Sequence, residues 1–222
     1  MAVVALQGGG AAIVAHAAAF FATTVPMSVE LLWAWVLGYL LGSIPFGLLL
    51  TRMAGKGDVR DVGSGNIGAT NVLRAAGKGV AAGTLLLDCL KATAAILIAG
   101  RLWPGSEMFA ATGALVGHLY PVWLRFKGGK GVATLLGILI ALLPIAAIIY
   151  AIVWLSVLVI VRISSAGGMA AAISAPISGA VLGPDYLFPM LLGFALLVLW
   201  KHRVNIARLK AGTEPRIGKS GA

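Results

Sequence analysis

The segment GHLYPVWLRFKGGKGVAT, residues 117–134, joins two apolar stretches through a turn rich in glycine and lysine. The flanking stretches are apolar enough to be membrane helices, which places the turn at a bilayer surface. Glycine N–H groups can approach an anion where a Cβ would block others, and the next helix adds its N-terminal dipole. A topology signal alone explains an average basic loop, but this pattern favours a phosphate-binding turn. Its candidate residues are Lys127, Gly128, Gly129, Lys130 and Gly131.

The overall composition is that of an integral membrane protein. The 222 residues are 60% hydrophobic and 11% charged, with a mean hydropathy of +0.99, far from the range of soluble domains. A spanning helix needs about 20 mostly apolar residues. Seven candidates lie near 29–53, 79–100, 106–125, 131–143, 145–161, 167–182 and 186–201. We therefore predict an all-α polytopic membrane protein with about seven transmembrane helices.

Pro144 separates the fourth and fifth candidates by a single residue, so they are either two spans or one kinked span. Residues 131–161 make about 31 residues, or roughly 46 Å of helix. That length is too great for one crossing. We favour seven spans over the six-span alternative.

Positive charge is concentrated in four places. Of the 17 Lys and Arg residues, 15 lie in residues 52–78, in residues 125–130, at Arg162 or in residues 201–219. Seven spans put all four places on one side, which the positive-inside rule makes cytoplasmic. The N-terminus is then outside and the C-terminus cytoplasmic. The net charge of +10 is mostly anchoring, and so apolar a chain is not expected to bind nucleic acid.

Residues 1–27 differ from the rest of the chain. They are rich in Ala and Gly and lack the basic start of a signal peptide. We interpret them as a weakly ordered extension, or as a start codon assigned too far upstream with Met27 as the true start, rather than as an eighth span. The remainder is one transmembrane domain, residues 28–216, followed by a flexible tail, residues 217–222.

No cofactor is expected. A single cysteine, Cys89, excludes a disulfide framework and a thiolate metal site. Three scattered histidines without paired carboxylates do not make the usual zinc or calcium ligand sets.

A second polar segment, residues 58–74, precedes the second predicted span. Its G-x-G-x-x-G spacing resembles a dinucleotide motif, but that motif needs a strand before it, and here a membrane helix precedes it. Its small and hydrogen-bonding residues favour a loop packed around a ligand over a plain polar connector. The candidates are Gly63, Ser64, Gly65, Asn66, Thr70, Asn71 and Arg74.

A third segment continues the last predicted span into the cytoplasm. His202 and Asn205 are at i and i+3 of a helix and share a face, with Arg203 between them. A lone interfacial histidine is more often a snorkelling or capping residue than a catalyst. Because two further polar loops lie on the same side, a functional role of His202 is as well supported as a snorkelling or capping role.

Three polar residues fall inside predicted spans. Asp88 and Lys91 are at i and i+3 and can pair, because an unpaired charge in hydrocarbon costs at least about 2.5 to 3.5 kcal/mol. The first interpretation is a structural ion pair, and the second is a role at the floor of an active site. The same two interpretations hold for His118, with the structural one favoured.

These segments together resemble the signature of the bacterial acyl-phosphate:glycerol-3-phosphate acyltransferase family, PlsY. The matching motifs are GSIPFG at 42–47, GSGNIGATN at 63–71, GHLYPV at 117–122, FKGGKGVAT at 126–134 and HRVNIARL at 202–209. The resemblance covers about residues 29–216. It implies a seven-helix enzyme of the bacterial inner membrane, with its active site on the cytoplasmic side. Its reaction is acyl transfer from acyl phosphate to the sn-1 hydroxyl of glycerol 3-phosphate, the first step of phospholipid synthesis.

The resemblance also implies roles for individual residues. The implied catalytic residues are Ser64, Arg74, Lys130, His202 and Asn205. The substrate-binding residues predicted from the polar segments and the resemblance together are Gly63, Gly65, Asn66, Asn71, Lys127, Gly128, Gly129, Gly131, Ser164 and Arg203. Glu214 matches an acidic position with a mainly structural role. A pocket serine of the family falls at Gly167 here, and Ser164 and Ser165 are its candidate replacements.

The implied partners are acyl phosphate, glycerol 3-phosphate and membrane lipids, with no obligatory protein partner. An acyl phosphate is a mixed anhydride with a good leaving group, so no enzyme nucleophile is required. Two other classes fit less well. A small-anion transporter needs polar groups through the bilayer and usually a repeat, and an intramembrane serine protease needs its nucleophile inside a span, whereas Ser64 is in a loop.

Overall fold

The computed structural model describes residues 29–217, so the predicted extension and residues 218–222 of the predicted tail lie outside the described part. Residues 29–217 form helices joined by loops, without a strand. The α-helices of this region are α1 Val29–Gly42, α2 Phe46–Met53, α3 Ala69–Leu102, α4 Glu107–Leu119, α5 Val132–Leu142, α6 Pro144–Val161, α7 Ser164–Leu182, α8 Leu187–Lys201 and α9 Arg203–Lys210. The predicted all-α class is confirmed.

Four segments are long and apolar enough to cross a bilayer: α1 with α2, then α3, α6 and α7. Helices α8 and α9 make a fifth if they are counted as one span across the 58° bend between them. Helix α5 is apolar but has only 11 residues, and α4 has 13. Large side chains such as Val159, Ile160 and Val181 face outward, as expected of helices in lipid. The count of seven spans and the orientation of the termini stay predictions.

Two predicted boundaries are corrected. The predicted span 106–125 is too long, because α4 ends at Leu119 before Pro121 and a short 3₁₀ helix follows at Val122–Leu124. A residue before proline is biased away from helical backbone, and Tyr120 accordingly has φ −139°. The predicted loop 58–74 becomes helical at Ala69, where α3 begins.

Two breaks interrupt the apolar helices. Gly77, with φ 84° and ψ −178°, kinks α3 near the start of the predicted second span. At Leu143, with φ −154° and ψ 76°, the chain leaves α5, and Pro144 occupies the first turn of α6. Proline is favoured there because its missing N–H has no helical partner. The stretch 131–161 is thus two separate helices, which fits the interpretation as two spans.

The first predicted span is also broken, just before Pro45. The break leaves backbone carbonyls without helical partners, and distant side chains satisfy them. Trp123 Nε1 donates to the carbonyl of Ser43 at 2.8 Å, and Lys91 Nζ donates to that of Ile44 at 2.8 Å. An unpaired carbonyl inside lipid would cost several kcal/mol, so these bonds make the break tolerable.

Helices α1 and α4 pack backbone to backbone through small residues. A Cβ added at any of four glycines would overlap a backbone oxygen or nitrogen of the facing helix. This is the small-xxx-small arrangement by which membrane helices approach closely. The four are Gly38 and Gly42 on α1 and Gly113 and Gly117 on α4.

Candidate active site

A cavity of about 450 Å³ lies where the three polar segments meet. Its wall comes from the loop before α3, the starts of α3, α5 and α7, and α9 with the segment that follows it. The predicted residues that line it are Gly63, Ser64, Asn66, Asn71, Arg74, Lys130, Gly131, Ser164, His202 and Asn205. The structure therefore brings ten of the fifteen predicted residues together at one place.

The other five predicted residues do not line the cavity: Gly65, Lys127, Gly128, Gly129 and Arg203. The Lys127 side chain is exposed. Arg203 is also exposed, and its guanidinium lies 5.2 Å from the centre of the Trp200 ring. Neither side chain contributes charge to the cavity wall.

Asn71 organises the loop before α3. This residue is 2% exposed, and its amide nitrogen donates to the carbonyls of Val59, Val62 and Asn66 at 2.8 to 2.9 Å. Its amide oxygen accepts the N–H of Ser64 at 3.0 Å. The protein itself engages both polar atoms of the side chain, so Asn71 acts on a ligand through the shape of the loop.

The loop glycines serve backbone conformation. Gly63 and Gly65 have φ of 58° and 66°, in the left-handed region that favours glycine. A Cβ at Gly63 would lie 2.5 Å from the Asn71 amide oxygen. The loop presents Ser64 at the cavity, where its hydroxyl makes no hydrogen bond with the described residues.

The glycine turn is built differently from the prediction. The N–H of Gly128 donates to the carbonyl of Leu119 at 3.3 Å, and that of Gly129 donates to the carbonyl of His118 at 3.0 Å. These two N–H groups are therefore engaged by the protein and do not point at a ligand. A Cβ at Gly128 would overlap the His118 carbonyl, and one at Gly129 would overlap the His118 imidazole. Close packing explains both glycines.

Gly131, with φ 90°, is the N-cap residue of α5 and lines the cavity. The first N–H groups of a helix have no helical partner, and no side chain caps this end. Val132 and Ala133 of the first turn also line the cavity. A helix N-terminus carries partial positive charge and favours anions. The start of α5 is thus the candidate phosphate-binding element.

Three cationic side chains line the same cavity: Arg74, Lys130 and Arg208. Lys130 Nζ donates to Asn205 Oδ1 at 2.6 Å. Burial lowers the pKa of Lys130 to about 8, with Glu214 opposing the shift and nearby arginines adding to it. Sequence reasoning missed Arg208, although its i+3 spacing from Asn205 on the helix was the signal that could have found it.

Glu214 ties the segment after α9 to the cavity wall. Its carboxylate accepts from Ser165 Oγ at 2.6 Å, Asn205 Nδ2 at 2.5 Å and Arg208 Nε at 2.6 Å. Burial raises the pKa of Glu214, but these three hydrogen bonds outweigh it, and the pKa lies below its ordinary value. The carboxylate is thus ionised and neutralised by its own partners, so it does not repel an anionic ligand strongly.

His202 presents one ring nitrogen as an acceptor. Its Nδ1 lies 2.8 Å from the Val198 carbonyl, which can only accept, so Nδ1 carries the hydrogen and Nε2 holds the lone pair. Burial lowers the pKa of His202 to about 4, the hydrogen bond to Val198 opposes this, and Lys130 adds to it. At neutral pH the imidazole is therefore uncharged.

The candidate replacements for the family serine differ in their partners. Ser164 Oγ lies 2.7 Å from Thr70 Oγ1 at the cavity wall, whereas Ser165 is engaged by Glu214. Gly167 does not line the cavity, and a Cβ there would lie 3.0 Å from the Trp154 carbonyl. Because Ser164 pairs with another hydroxyl and Ser165 with a carboxylate, Ser164 is the better candidate to contact a ligand.

The cavity floor is polar and its far wall is apolar. Asp88 and His118 line the floor, and Lys91 Nζ donates to Asp88 Oδ1 at 2.6 Å. The predicted ion pair is confirmed and Asp88 lines the cavity, whereas a role in the active site stays a prediction. Leu85 and Trp154 line the apolar wall, and a second apolar space of about 20 Å³ continues from it. Within residues 29–217, no group of three or more His, Cys, Asp or Glu residues is placed to hold a metal.

The sequence profile of the glycerol-3-phosphate acyltransferase family matches residues 32–212. A glycerol-3-phosphate acyltransferase of Mesorhizobium japonicum is 55% identical over 195 residues, which is 88% of this chain and 100% of that protein. One from Agrobacterium fabrum is 54% identical over 190 residues, 85% of this chain and 92% of that protein.

Solved structures agree. The crystal structure of PlsY (YgiH), an integral membrane glycerol 3-phosphate acyltransferase, in its glycerol 3-phosphate form has a TM-score of 0.80 and 40% identity, covering 85% of this chain and 96% of that one. The lysophosphatidic acid form has a TM-score of 0.78 and 39% identity, with 85% and 95% covered. Profile, relatives and structures coincide over nearly all of the described residues, and the chain is an integral membrane protein of the glycerol-3-phosphate acyltransferase family.

Proposed function

We propose that this protein transfers an acyl group from acyl phosphate to the sn-1 hydroxyl of glycerol 3-phosphate, giving lysophosphatidic acid and phosphate. One observation carries the proposal: a single cavity joins a cationic wall and a helix N-terminus to an apolar wall. Membership of the family supports acyl transfer to glycerol 3-phosphate. The cavity supports a donor that is itself an anion with an acyl chain.

The cationic wall suits two phosphate-bearing substrates. Arg74 and Lys130 converge on the cavity with the start of α5, and Arg208, which also lines it, neutralises the Glu214 carboxylate. Charge-assisted hydrogen bonds to phosphate are worth about 1.5 to 3 kcal/mol each. The apolar wall at Leu85 and Trp154 suits the acyl chain, which enters sideways from the bilayer.

The chemistry then needs little from the enzyme beyond positioning. The glycerol hydroxyl attacks the carbonyl carbon, the bond to the phosphate oxygen breaks, and phosphate leaves with that electron pair. The role of Ser64 is to donate a hydrogen bond that orients a substrate, and the role of Asn205 is to hold the Lys130 ammonium in place. No covalent acyl-enzyme is part of the proposal.

His202 is proposed as an anchor for the attacking hydroxyl. Its Nε2 is an acceptor, but a pKa of about 4 makes it a weak base. The substrate phosphate, with a second pKa of about 6, is the better destination for the proton. Since loss of a general base costs about 10² to 10⁴ in rate, His202→Asn and His202→Gln decide the question. Retention of more than about a tenth of turnover in either variant supports the anchor, and a loss near 10⁴ in both with unchanged KM refutes it.

The proposed location is the bacterial cytoplasmic membrane, with the cavity on the cytoplasmic side. The cavity lies among the basic segments 52–78 and 125–130 and the described part of 201–219, and the positive-inside rule makes the side that carries these segments cytoplasmic. Cysteine substitutions at Lys56 and Arg101, labelled from each side of sealed vesicles, test this. Labelling of both residues from the same side would refute the orientation.

The reaction is tested with purified protein in lipid and labelled glycerol 3-phosphate. Acyl phosphate, acyl-CoA and acyl carrier protein thioester are offered separately, and labelled lysophosphatidic acid is scored. Of the three donors, we expect only acyl phosphate to give product. We expect a large loss of activity in Arg74→Ala and near-normal activity in Arg203→Ala, whose side chain lies outside the cavity. Product from a thioester but not from acyl phosphate would overturn the donor, and no product from any donor would overturn the reaction.

A further inference from the structure

The proposed reaction leaves one buried polar cluster at the cavity floor without a task. Asp88, Lys91 and His118 are 2%, 5% and 4% exposed. Lys91 Nζ donates to Asp88 Oδ1 at 2.6 Å and lies 3.0 Å from His118 Nδ1. An ammonium only donates, so His118 Nδ1 is the acceptor, and the imidazole hydrogen is on Nε2. The ion pair thereby fixes the orientation of the ring.

The His118 ring and carbonyl both support the glycine turn. The carbonyl accepts the N–H of Gly129 at 3.0 Å. Nε2 faces Gly129 so closely that a Cβ there would overlap the ring. Lys130 follows directly, and α5 begins two positions later. The position of His118 thus sets where the Lys130 ammonium and the α5 N-terminus lie in the cavity.

We propose that His118 is a positioning residue for phosphate binding: through Gly129 it places Lys130 and the start of α5 against the substrate phosphate, and Asp88 and Lys91 orient its ring. The inference rests on the proposed function for the identity of the substrate. It has a specific corollary, which is that Gly129 must be glycine because of the His118 ring and not because a ligand approaches its backbone.

A purely structural role makes a different prediction. A structural ion pair lowers stability when disrupted and leaves the KM of the folded fraction unchanged. Lys91 is a poor choice for the test, because its ammonium also binds the Ile44 carbonyl at the break in the first span. His118 is the better choice, since its Nδ1 and Nε2 face the ion pair and the turn respectively.

The test is a double-mutant cycle of His118→Ala and Gly129→Ala, with kinetics in lipid and thermal unfolding measured for each protein. Thr93→Ala is the matched control, because Thr93 lies on the same helix as Lys91 and donates to the Gly137 carbonyl of α5 at 2.8 Å. It removes a buried bond between helices without touching the turn.

We expect His118→Ala to raise the KM of a phosphate-bearing substrate roughly tenfold, with turnover at saturation within about threefold of wild type. Gly129→Ala alone should raise KM similarly, and should add little in the His118→Ala background, where the ring no longer blocks its methyl group. Thr93→Ala should lower thermal stability and keep KM within about twofold.

Three results would overturn the proposal: unchanged KM in His118→Ala, a full additional penalty from Gly129→Ala in that background, or an equal rise of KM in Thr93→Ala. If His118→Ala does not fold, the same cycle is run with His118→Asn. Its side chain keeps an acceptor for Lys91 and lacks the Nε2 and Cε1 atoms, which come nearest to a Cβ at Gly129, so the same criteria decide.

The cycle is also read by binding, with glycerol 3-phosphate and inorganic phosphate as probes in a thermal-shift titration. If the wild-type protein binds glycerol 3-phosphate but makes no product, the proposed function is refuted, and the binding data still test the role of His118. If the wild-type protein makes product but His118→Ala binds both probes as tightly as wild type, only the inference about His118 is refuted.

Discussion

Two glycine-rich segments reach the same cavity, and they are held in opposite ways. The loop before α3 is fixed by one side chain of the helix it precedes, Asn71, and its glycines at 63 and 65 adopt left-handed backbone. The turn at 126–131 is fixed by the backbone carbonyls and the imidazole ring of the corner that precedes it, residues 118–119. Gly63 and Gly65 serve backbone conformation in the loop, whereas Gly128 and Gly129 serve close approach in the turn, so similar composition has two physical causes.

The strongest test that both segments belong to the site is to remove the cation that each supplies, Arg74 or Lys130. We expect Arg74→Ala and Lys130→Ala each to lower kcat/KM by roughly 10- to 150-fold, since a charge-assisted contact is worth about 1.5 to 3 kcal/mol. Steady-state kinetics in lipid with acyl phosphate and glycerol 3-phosphate measure both. Full activity of either variant would remove that segment from the site.

The next test separates the ways in which the segments are held. Asn71→Ala leaves buried carbonyls of the loop without donors, which costs about 1 to 3 kcal/mol of unfolding free energy, and we expect kcat/KM to fall about tenfold as the loop loosens. Thermal unfolding and kinetics are compared with Thr84→Ala, whose buried hydroxyl bonds only within α3 at the Val80 carbonyl. Equal effects of the two substitutions would contradict a specific role of Asn71.

The two cations should also differ in their response to pH. Burial lowers the pKa of Lys130 to about 8, and its ammonium is the form that binds phosphate. As pH rises through about 8 the ammonium is lost, so kcat/KM should fall by about tenfold at one unit above this pKa. A guanidinium stays charged, so Lys130→Arg should abolish this alkaline limb. A limb unchanged in Lys130→Arg, after correction for hydrolysis of the donor, assigns it to another group.

The smallest effects are expected where the structure moves a predicted residue out of the cavity. Lys127→Ala and Arg203→Ala should change kcat/KM by no more than about twofold, as is usual for exposed side chains. The charge of their segments predicts both as substrate-binding residues, so the measurement is informative. A tenfold loss in either variant would return that side chain to the site.

Hydropathy and glycine content predict much of this molecule. Apolar stretches locate the helices, although α3 begins well before its predicted start and α4 ends before its predicted end, and the three polar segments between them do meet at one cavity. Residue types are enough to predict the helices, because an apolar stretch in lipid must satisfy its backbone hydrogen bonds internally. They are also enough to predict a phosphate site, because phosphate is bound by cations and by free backbone N–H groups. The resemblance to one family assigned candidate residues within those segments.

The rest depends on contacts between distant residues. Nothing local in the turn reveals that Gly128 and Gly129 are engaged by the carbonyls of residues 118 and 119. The partners of Asn71 are fixed by the loop conformation, and Glu214 joins Arg208 and Ser165 only in the folded chain. A sequence pattern identifies which residue types are present, whereas packing decides which of them contact a ligand and which contact other parts of the protein.

The break before Pro45 has a consequence for how the chain is made. The carbonyls of Ser43 and Ile44 receive their partners from residues 80 and 47 positions later in the chain. During synthesis the first span therefore enters the bilayer with the Ser43 carbonyl unsatisfied, while the Ile44 carbonyl has the nearby Phe46 N–H at 3.1 Å but not yet its lysine partner. An unsatisfied carbonyl costs several kcal/mol in hydrocarbon, so this part of the span stays near the lipid headgroups or the insertion machinery until Lys91 and Trp123 have followed. We expect Trp123→Phe, which keeps the ring and removes the donor, to slow assembly in a pulse-chase experiment while leaving the cavity side chains unchanged.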